Sequence, residues 1–182
     1  MTNFAPDYCG YCGQELRDSD LAPGASVCDD CERYVFHSPT PGASVTVVDD
    51  EHLLLIQRAV GPSAGQWGTP AGHVDWGEDP DHAAARELEE ETGLRVDRDD
   101  LTLVAGRGTW VADGKHMVGF EYAVHRADTR GELDAGTDAQ DARFWTAESW
   151  NGADERMHET TRERYGTTDV EEIVTKTLAE LG

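Results

Sequence analysis

The pattern of apolar positions predicts two β-hairpins in the middle of the chain. Residues 43–48 and 52–58 are aliphatic and β-branched runs, and the short acidic stretch between them is typical of a turn. Residues 101–111 and 116–125 form a second such pair, and the segment between them contains Asp-Gly, a strong two-residue turn signal. We therefore expect a sheet that contains at least these four strands.

The remaining pattern adds a last strand and a helix that covers the sheet. The triplet at 143–145, Arg-Phe-Trp, predicts a short final strand. Apolar residues over 170–181 recur at helical spacing, which predicts an amphipathic helix packing on the sheet. The proline-containing stretch 38–42 is typical of a linker. The expected organisation is a small domain at residues 1–38, followed by a larger α/β domain with a mixed sheet at residues 42–182.

Another helix, rich in acidic residues, is delimited by its end signals. Asp79 suits the N-cap position, Pro80 suits the first helical position, and Gly93 suits the position just past the last turn. These signals predict a helix over residues 80–92.

Three glutamates of this helix predict a cation site. At about 100° per residue, Glu87 and Glu91 share one stripe of the helix and Glu90 lies beside them. Like charges at this spacing destabilise an isolated helix by roughly 0.2–0.5 kcal/mol per pair, so the cluster calls for a counter-charge. Carboxylate ligands without sulfur or imidazole favour Mg²⁺ or Mn²⁺ over Zn²⁺. The competing interpretation is an ordinary acidic surface helix.

The spacing of residues around this helix resembles the Nudix box, the signature of hydrolases that cut a diphosphate linked to another moiety. Acidity alone does not place a glycine, an arginine and a second glycine at the required intervals from the glutamates. The nine matching positions are Gly72, Glu78, Arg86, Glu87, Leu88, Glu90, Glu91, Gly93 and Leu94.

The Nudix resemblance implies a fold and a role for each box residue. The fold is an α/β/α sandwich with a mixed sheet over roughly residues 42–182, and the box forms a loop, a helix and a second loop. Arg86 would pair with Glu78 or Glu90 to hold the loop against the helix, although a phosphate contact is an alternative role for it. The metal ligands would be the Gly72 carbonyl and the carboxylates of Glu87, Glu90 and Glu91.

All four cysteines lie in two C-x-x-C pairs, Cys9 with Cys12 and Cys28 with Cys31. Four thiolates in paired knuckles suit tetrahedral Zn²⁺, while two disulfides or four free thiols are the alternatives. No signal-peptide pattern precedes them and no apolar run is long enough to span a bilayer, so we expect a reducing, cytoplasmic setting without disulfides. Residues 1–38 have few large apolar side chains, so we expect a structural Zn²⁺ to stabilise the fold of this segment. The arrangement resembles the zinc ribbon that precedes the Nudix domain in NADH pyrophosphatases.

The composition adds strong acidity. The chain has 37 acidic and 15 basic residues and a formal net charge of −22. Such a charge is typical of halophilic proteins, because self-repulsion is tolerable when the Debye length falls to about 3 Å at 1 M salt. Charge-driven disorder is the alternative, and regular apolar patterning argues against it. Without a basic stripe, an extended nucleic-acid footprint is not expected.

The expected reaction is attack of water on phosphorus. A diphosphate is anionic, so bound cations must invert the charge of an acidic site, and a carboxylate must deprotonate or orient the water. The candidates for this base are Glu90 within the box and Glu121, Asp138 and Asp141 outside it. Asp138 and Asp141 lie in a stretch similar to the acidic segment before a late strand in many Nudix members. For each of the three outside the box, a solvated surface carboxylate is an equal alternative.

The expected substrate is a nucleoside diphosphate linked to a second, unnamed moiety. The Ser-Gln-Pro-Trp-Pro-Phe-Pro run of NADH pyrophosphatases is absent, and Trp110 stands where ADP-ribose pyrophosphatases typically carry a proline. Trp110, Phe120 or Tyr122 could stack on a base, a contact worth about 1–3 kcal/mol. For at least two of these three, core packing is the alternative.

Other functions exist on the same fold. A Nudix domain can sense a nucleotide without cutting it, with the ribbon docking a protein partner, but loss of a box glutamate would then be expected and none is lost. An isoprenoid diphosphate isomerase needs a catalytic cysteine, and here each cysteine lies in a knuckle. The resemblance also allows a homodimer, and no membrane association is expected.

Overall fold

The computed structural model describes residues 4–110, 116–136 and 138–182, without the side chains of residues 109 and 110. The chain forms two compact units, one of Met1–Pro41 with Gly108–Val118 and one of Gly42–Arg107 with Gly119–Gly182. The division into domains at residues 1–38 and 42–182 stays a prediction. Among the helices of the described ranges, none is long and apolar enough to cross a membrane.

The smaller unit contains a three-stranded antiparallel sheet and a cluster of four cysteines. Its strands are β1 (Arg17–Asp18), β2 (Ala25–Cys28) and β3 (Arg33–Phe36), with β2 in the middle. Within residues 4–41, the buried residues are two cysteines and an alanine: Cys9, Ala25 and Cys28. This part of the chain therefore has no aliphatic core, and its larger apolar side chains, such as those of Tyr11 and Tyr34, are exposed.

The larger unit is built around a seven-stranded sheet, with a small two-stranded sheet formed by β8 and β11 beside it. The remaining strands, in chain order, are β4 (Thr40–Val48), β5 (Leu53–Arg58), β6 (Trp67–Gly68), β7 (Ala71–His73), β8 (Arg95–Val96), β9 (Thr102–Trp110), β10 (His116–His125), β11 (Thr129–Arg130) and β12 (Ala139–Trp145). The main path of the large sheet is β12-β5-β4-β10-β9, and β6 and β7 pair antiparallel with β5 and β4.

Four helices accompany these strands, and one of them carries the box. They are α1 (Pro80–Thr92), α2 (Ala147–Asn151), α3 (Glu159–Tyr165) and α4 (Val170–Leu181). Two single turns of 3₁₀ helix, Arg98–Asp100 and Arg126–Asp128, lie in the connections.

The sheet is covered on both faces, which explains the unbroken apolar run of β5. Leu54 packs in one core with Leu88 of α1, whereas Leu53 and Leu55 pack in a second core with Ile173 of α4. Successive residues of a strand point to opposite faces, so a strand buried on both sides has no polar alternation. The predicted α/β/α sandwich with a mixed sheet is confirmed.

The end signals of α1 predicted its bounds correctly. Pro80 is the first residue, and Gly93 closes the helix in the left-handed region at φ 71°, where a glycine is favoured. Asp79 is extended, as an N-cap should be, but its side chain makes no capping hydrogen bond. The predicted Asp113-Gly114 turn lies outside the described residues.

We predict that Gly136→Ala destabilises the protein by about 3 kcal/mol, the scale of an overpacked core site. A Cβ at Gly136 would lie 1.6 Å from the backbone oxygen of Glu90, so α1 would have to move. Urea unfolding in concentrated KCl measures the change. Gly106→Ala is the matched control, since nothing lies within 4 Å of its added Cβ. Equal effects of the two substitutions would contradict the close packing at Gly136.

Candidate active site

The guanidinium of Arg86 is the centre of the box. It donates two hydrogen bonds to Glu78, Nε to Oε1 and Nη2 to Oε2, both of 2.9 Å. Its Nη1 donates to Glu87 at 2.8 Å and to Glu90 at 3.1 Å, and its Nη2 also donates to the backbone oxygen of His73 at 3.0 Å. The predicted pairing of Arg86 with Glu78 or Glu90 is thus present with both partners.

These bonds fix the loop between β7 and α1 at both ends. His73 is the last residue of β7, and Glu78 lies just before the helix, so one guanidinium spans the loop. Glu78 also accepts a hydrogen bond from the backbone N–H of Asp75 at 3.0 Å. Gly77 has φ 80°, a conformation that residues with a side chain rarely adopt. The hydrogen bonds of the Arg86 guanidinium therefore hold the loop in one conformation.

The carboxylate of Glu87 lies directly over the backbone of Gly72. A Cβ added at Gly72 would lie 2.0 Å from Oε1 and 2.4 Å from Oε2 of Glu87, so only a glycine leaves room for this carboxylate. Burial raises the pKa of Glu87, and the hydrogen bond from Arg86 offsets part of that rise. In contrast, the hydrogen bonds from the same guanidinium lower the pKa of Glu78.

Glu91 is the most deeply buried carboxylate of the helix. Its residue exposure is 8 %, and Oε2 accepts a hydrogen bond of 2.8 Å from the backbone N–H of Ala71. Burial raises the pKa of Glu91 to about 7, and the negative charge of Glu87 adds to the rise. Glu87 and Glu91 thus face two consecutive residues of β7, Gly72 and Ala71.

The third glutamate is separated from the other two. The Glu90 side chain is 58 % exposed and bonds to Arg86. Among the described residues, the four cysteines are the one group of three or more such side chains that lie close enough together to hold a metal ion, so the ligand set of Glu87, Glu90 and Glu91 stays a prediction. The counter-charge expected from a cation is partly supplied by Arg86.

Glu121, a predicted base candidate, forms a buried ion pair instead of facing solvent. Its Oε1 lies 3.1 Å from Nε of Arg164, a contact without hydrogen-bond alignment, and Oε2 lies 3.7 Å from Nε of Arg107. The Arg164 Nη1 group donates to Thr69 at 2.6 Å, just before β7. These side chains line a cavity of about 290 Å³ with Tyr165 and residues of α4.

The other two base candidates differ from each other. Asp141 is paired with Arg143. Asp138 is exposed, and its negative charge contributes to the raised pKa of Glu91, after burial and the charge of Glu87. Asp138 is therefore the base candidate outside the box that acts on the carboxylates of α1.

Two of the three aromatic candidates pack in the core. Tyr122 is buried in the core next to α1, and the partly buried Phe120 packs against the same core. The side chain of Trp110 lies outside the described residues, so its stacking role stays a prediction.

The four cysteine sulfurs lie close enough together to hold one metal ion. The sulfurs of Cys12 and Cys28 are 3.5 Å apart, those of Cys9 and Cys31 are 4.0 Å apart, and all four lie within 4.8 Å. A tetrahedron with Zn–S bonds of about 2.3 Å has edges of about 3.8 Å. Hydrogen bonds from the backbone lower the pKa of Cys9 to about 7, whereas the neighbouring thiols raise the pKa of Cys31 to about 12. Four thiols therefore converge where a cation would allow all of them to ionise.

Some residues of the site have no signal in the sequence. Arg58 acts electrostatically on Glu91 from the end of β5, and Arg164 reaches Glu121 from α3. Gly136 allows its segment to lie against the backbone of α1. These contacts join segments far apart in the chain, so spacing and periodicity do not reveal them.

Comparison with known proteins identifies the family. The profile of the NUDIX domain matches residues 38–165, so the chain belongs to the Nudix family of hydrolases. The resemblance inferred from the box is confirmed.

Among curated proteins, the chain is similar to the NAD-capped RNA hydrolase NudC of Photorhabdus laumondii. The two are 33% identical over 89 residues, which are 49% of this chain and 34% of that protein. The match thus covers about a third of the length of this relative.

Two solved structures are similar in fold. The MutT NUDIX hydrolase from Burkholderia pseudomallei has a TM-score of 0.59 and 30% identity, over 69% of this chain and 95% of that one. A bifunctional NMN adenylyltransferase/ADP ribose pyrophosphatase from Francisella tularensis, complexed with AMP and a Mn ion, has a TM-score of 0.58 and 22% identity, over 80% of this chain and 42% of that one.

We predict that Glu91→Gln stabilises the metal-free protein above neutral pH. A glutamate whose pKa is raised from 4.5 to about 7 favours folding fully below pH 4.5, and this contribution is lost as the pH rises through about 7. The resulting destabilisation at about pH 8 is on the order of 3 kcal/mol, and glutamine removes it.

The measurement is the free energy of unfolding at about pH 5 and pH 8, in constant concentrated KCl without added divalent metal. The advantage of Glu91→Gln should be larger at the higher pH. Glu90→Gln, which removes one exposed charge from the same helix, is the matched control. An advantage of Glu91→Gln that is the same at both pH values would contradict the raised pKa.

Proposed function

We propose that this chain is a pyrophosphohydrolase that uses Mg²⁺ or Mn²⁺ to cut a nucleoside diphosphate linked to another moiety. The observation that carries the proposal is a pair of carboxylates, the half-buried Glu87 and the buried Glu91, held against the backbone of Gly72 and Ala71. Burial disfavours their ionised forms, and a bound cation reverses that preference.

The donor set fits a hard divalent cation. Within the described residues, Oε2 of Glu91 has one backbone N–H as its partner, and Oε1 of Glu87 has one N–H of Arg86. Carboxylate oxygens with remaining lone pairs, beside a backbone carbonyl, are the ligands that Mg²⁺ and Mn²⁺ prefer. We assign the ligands to Gly72, Glu87, Glu90 and Glu91.

A cation held by Gly72, Glu87, Glu90 and Glu91 would supply positive charge that offsets negative charge on the leaving group. The chain's own residues hold the site in place and activate the attacking water. Arg86 holds the loop that follows β7, the strand that contains Gly72, and a carboxylate accepts a proton from the attacking water. Asp138 suits this last role better than Glu90, Glu121 and Asp141, because each of the latter three is paired with an arginine.

The comparisons support the substrate class. The curated relative is a hydrolase of NAD-capped RNA, and the Francisella tularensis protein is an ADP ribose pyrophosphatase with AMP and a Mn ion. NAD and ADP-ribose share one chemical feature, a diphosphate between a nucleoside and a second group. We propose that this feature is what the present site recognises. No contact in the site favours the non-hydrolytic alternative, since Glu87, Glu90 and Glu91 are all in place.

We predict that Glu91→Gln lowers turnover at least about 10²-fold, which corresponds to about 2.7 kcal/mol of activation free energy. The assay is a panel of nucleoside diphosphate derivatives with Mg²⁺ or Mn²⁺ in molar KCl, with products separated by chromatography. Glu89→Gln is the matched control, because Glu89 lies on the same helix but pairs with Arg95 at the surface. Unchanged turnover in Glu91→Gln would contradict the assignment of Glu91 as a metal ligand. Glu90→Gln and Asp138→Asn in the same assay identify the base.

We also propose that Cys9, Cys12, Cys28 and Cys31 hold a structural Zn²⁺, and we predict that its loss separates from loss of the catalytic metal. Four thiolates close the coordination shell, so this ion should exchange slowly, whereas the carboxylate site should release Mg²⁺ readily. Mild EDTA treatment and dialysis should abolish hydrolysis that Mg²⁺ alone restores, while elemental analysis still finds about one zinc per chain.

The double variant Cys9→Ser with Cys12→Ser should release the zinc and retain part of the hydrolysis, because no box residue changes. Absence of zinc from the purified protein would overturn the structural site. Complete loss of hydrolysis in a double variant whose larger unit stays folded would make the cysteine cluster part of the active site.

A further inference from the structure

The peptide group between Pro70 and Ala71 places the buried carboxylate of α1. Its N–H donates to Oε2 of Glu91 at 2.8 Å, and its oxygen accepts a hydrogen bond of 3.0 Å from the backbone N–H of Val45 in β4. These two bonds join the peptide group to α1 and to the sheet. The preceding residue, Thr69, is bonded to a different helix, α3.

Both the backbone and the side chain of Thr69 bond to α3. The Thr69 N–H donates to Oγ1 of Thr161 at 3.4 Å, and the Thr69 hydroxyl accepts a hydrogen bond of 2.6 Å from Nη1 of Arg164. Thr69 and Thr161 are both buried, and a Cβ added at Gly68 would lie 3.2 Å from Oγ1 of Thr161. Because these groups are buried, removing one partner leaves the other without a hydrogen bond.

The Arg164 side chain is itself held by an acidic partner in the sheet. Its Nε lies 3.1 Å from Oε1 of Glu121 in β10, and each of the two side chains is only 11 % exposed. A buried guanidinium without a partner is costly, so the carboxylate of Glu121 stabilises Arg164 in its position beside Thr69. Glu121 therefore supports the contact between α3 and the segment that precedes β7.

The last residue of α3 anchors the helix to the same sheet. The hydroxyl of Tyr165 forms a hydrogen bond of 2.5 Å with that of Thr46 in β4, and the Tyr165 backbone oxygen accepts one of 2.8 Å from Lys176 of α4. β4 is also the strand that pairs with β7. Arg164, the neighbour of Tyr165 in the chain, is therefore fixed relative to the strands that carry the carboxylate site.

We propose that Arg164 is a positioning residue that acts on Glu91 through Thr69 and the N–H of Ala71. This inference rests on the proposed function, in which Glu91 holds the cation. One residue, Pro70, separates Thr69 from Ala71, and its ring fixes φ, so a displacement of Thr69 is passed on to the peptide group. Partners of this kind orient a metal ligand without touching the metal, and their loss weakens metal binding.

The first measurement needs no metal. It follows hydrogen exchange of the Ala71 amide by nuclear magnetic resonance in the metal-free protein in concentrated KCl. Arg164→Gln should speed this exchange at least about tenfold, because Thr69 loses its charged donor and the amide opens more often. Arg164→Lys keeps the charge beside Glu121 but lacks the fork, so it should lie between. Arg162→Gln is the matched control, because Arg162 lies on the same helix and pairs with Glu159 at the surface.

The second measurement is the affinity for Mn²⁺, titrated by electron paramagnetic resonance. Arg164→Gln should bind Mn²⁺ at least about tenfold more weakly than the wild type. Thr69→Val removes the hydroxyl at nearly constant shape and should have a similar effect. Because both substitutions break one link, the double variant should bind no more weakly than the weaker single variant. Additive losses would show that Arg164 does not act through Thr69.

Wild-type exchange of the Ala71 amide in a folded Arg164→Gln protein would overturn the inference, as would an equal effect of Arg162→Gln. If Arg164→Gln does not fold, Thr69→Val decides, since it leaves the ion pair with Glu121 intact, and wild-type exchange there has the same meaning. Failure of the proposed function is distinguishable. Faster exchange in the variants of a protein that hydrolyses no member of the panel would refute the reaction alone, whereas unchanged exchange in variants of an active enzyme would refute the positioning role alone.

Discussion

The guanidinium of Arg86 holds both ends of the loop between β7 and α1 against the helix. Through Glu78 and the His73 carbonyl it fixes where Gly72 lies, and through Glu87 it fixes the carboxylate above that glycine. Five N–H donors in one plane can serve several acceptors at once, which a lysine cannot do. The carboxylate site therefore exists because one cation organises three acidic side chains before any metal binds.

Positively charged side chains are scarce in this chain, and they differ in whether they have acidic partners. Arg86 and Arg164 are each committed to acidic partners within the larger unit. Arg58 forms no ion pair among the described residues, although acidic residues greatly outnumber basic ones. In a protein with net charge −22, the proposed anionic substrate would depend on local positive charge, which a bound divalent cation would supply.

Local signals in the sequence were enough to predict α1 and its box, whereas contacts between distant segments were not. Pro80 and Gly93 set the helix ends through their own backbone preferences, so its bounds were predictable. The hydrogen bond from the backbone N–H of Ala71 to Glu91 was not predictable, because it joins the helix to β7 and leaves no local signal in the sequence. The pairing of Glu121 with Arg164 joins a strand to a later helix, and no periodicity reports such a contact.

Arg86 is expected to create the cation site by holding Glu87 and the loop in place, and a Mn²⁺ titration of Arg86→Gln followed by electron paramagnetic resonance tests this role. On charge alone, removing a cation from beside Glu87 and Glu90 should strengthen Mn²⁺ binding. Our account predicts the opposite, with binding at least about tenfold weaker than in the wild type, because the loop and Glu87 lose their anchor. Equal or tighter binding of Mn²⁺ by a folded Arg86→Gln protein would contradict it.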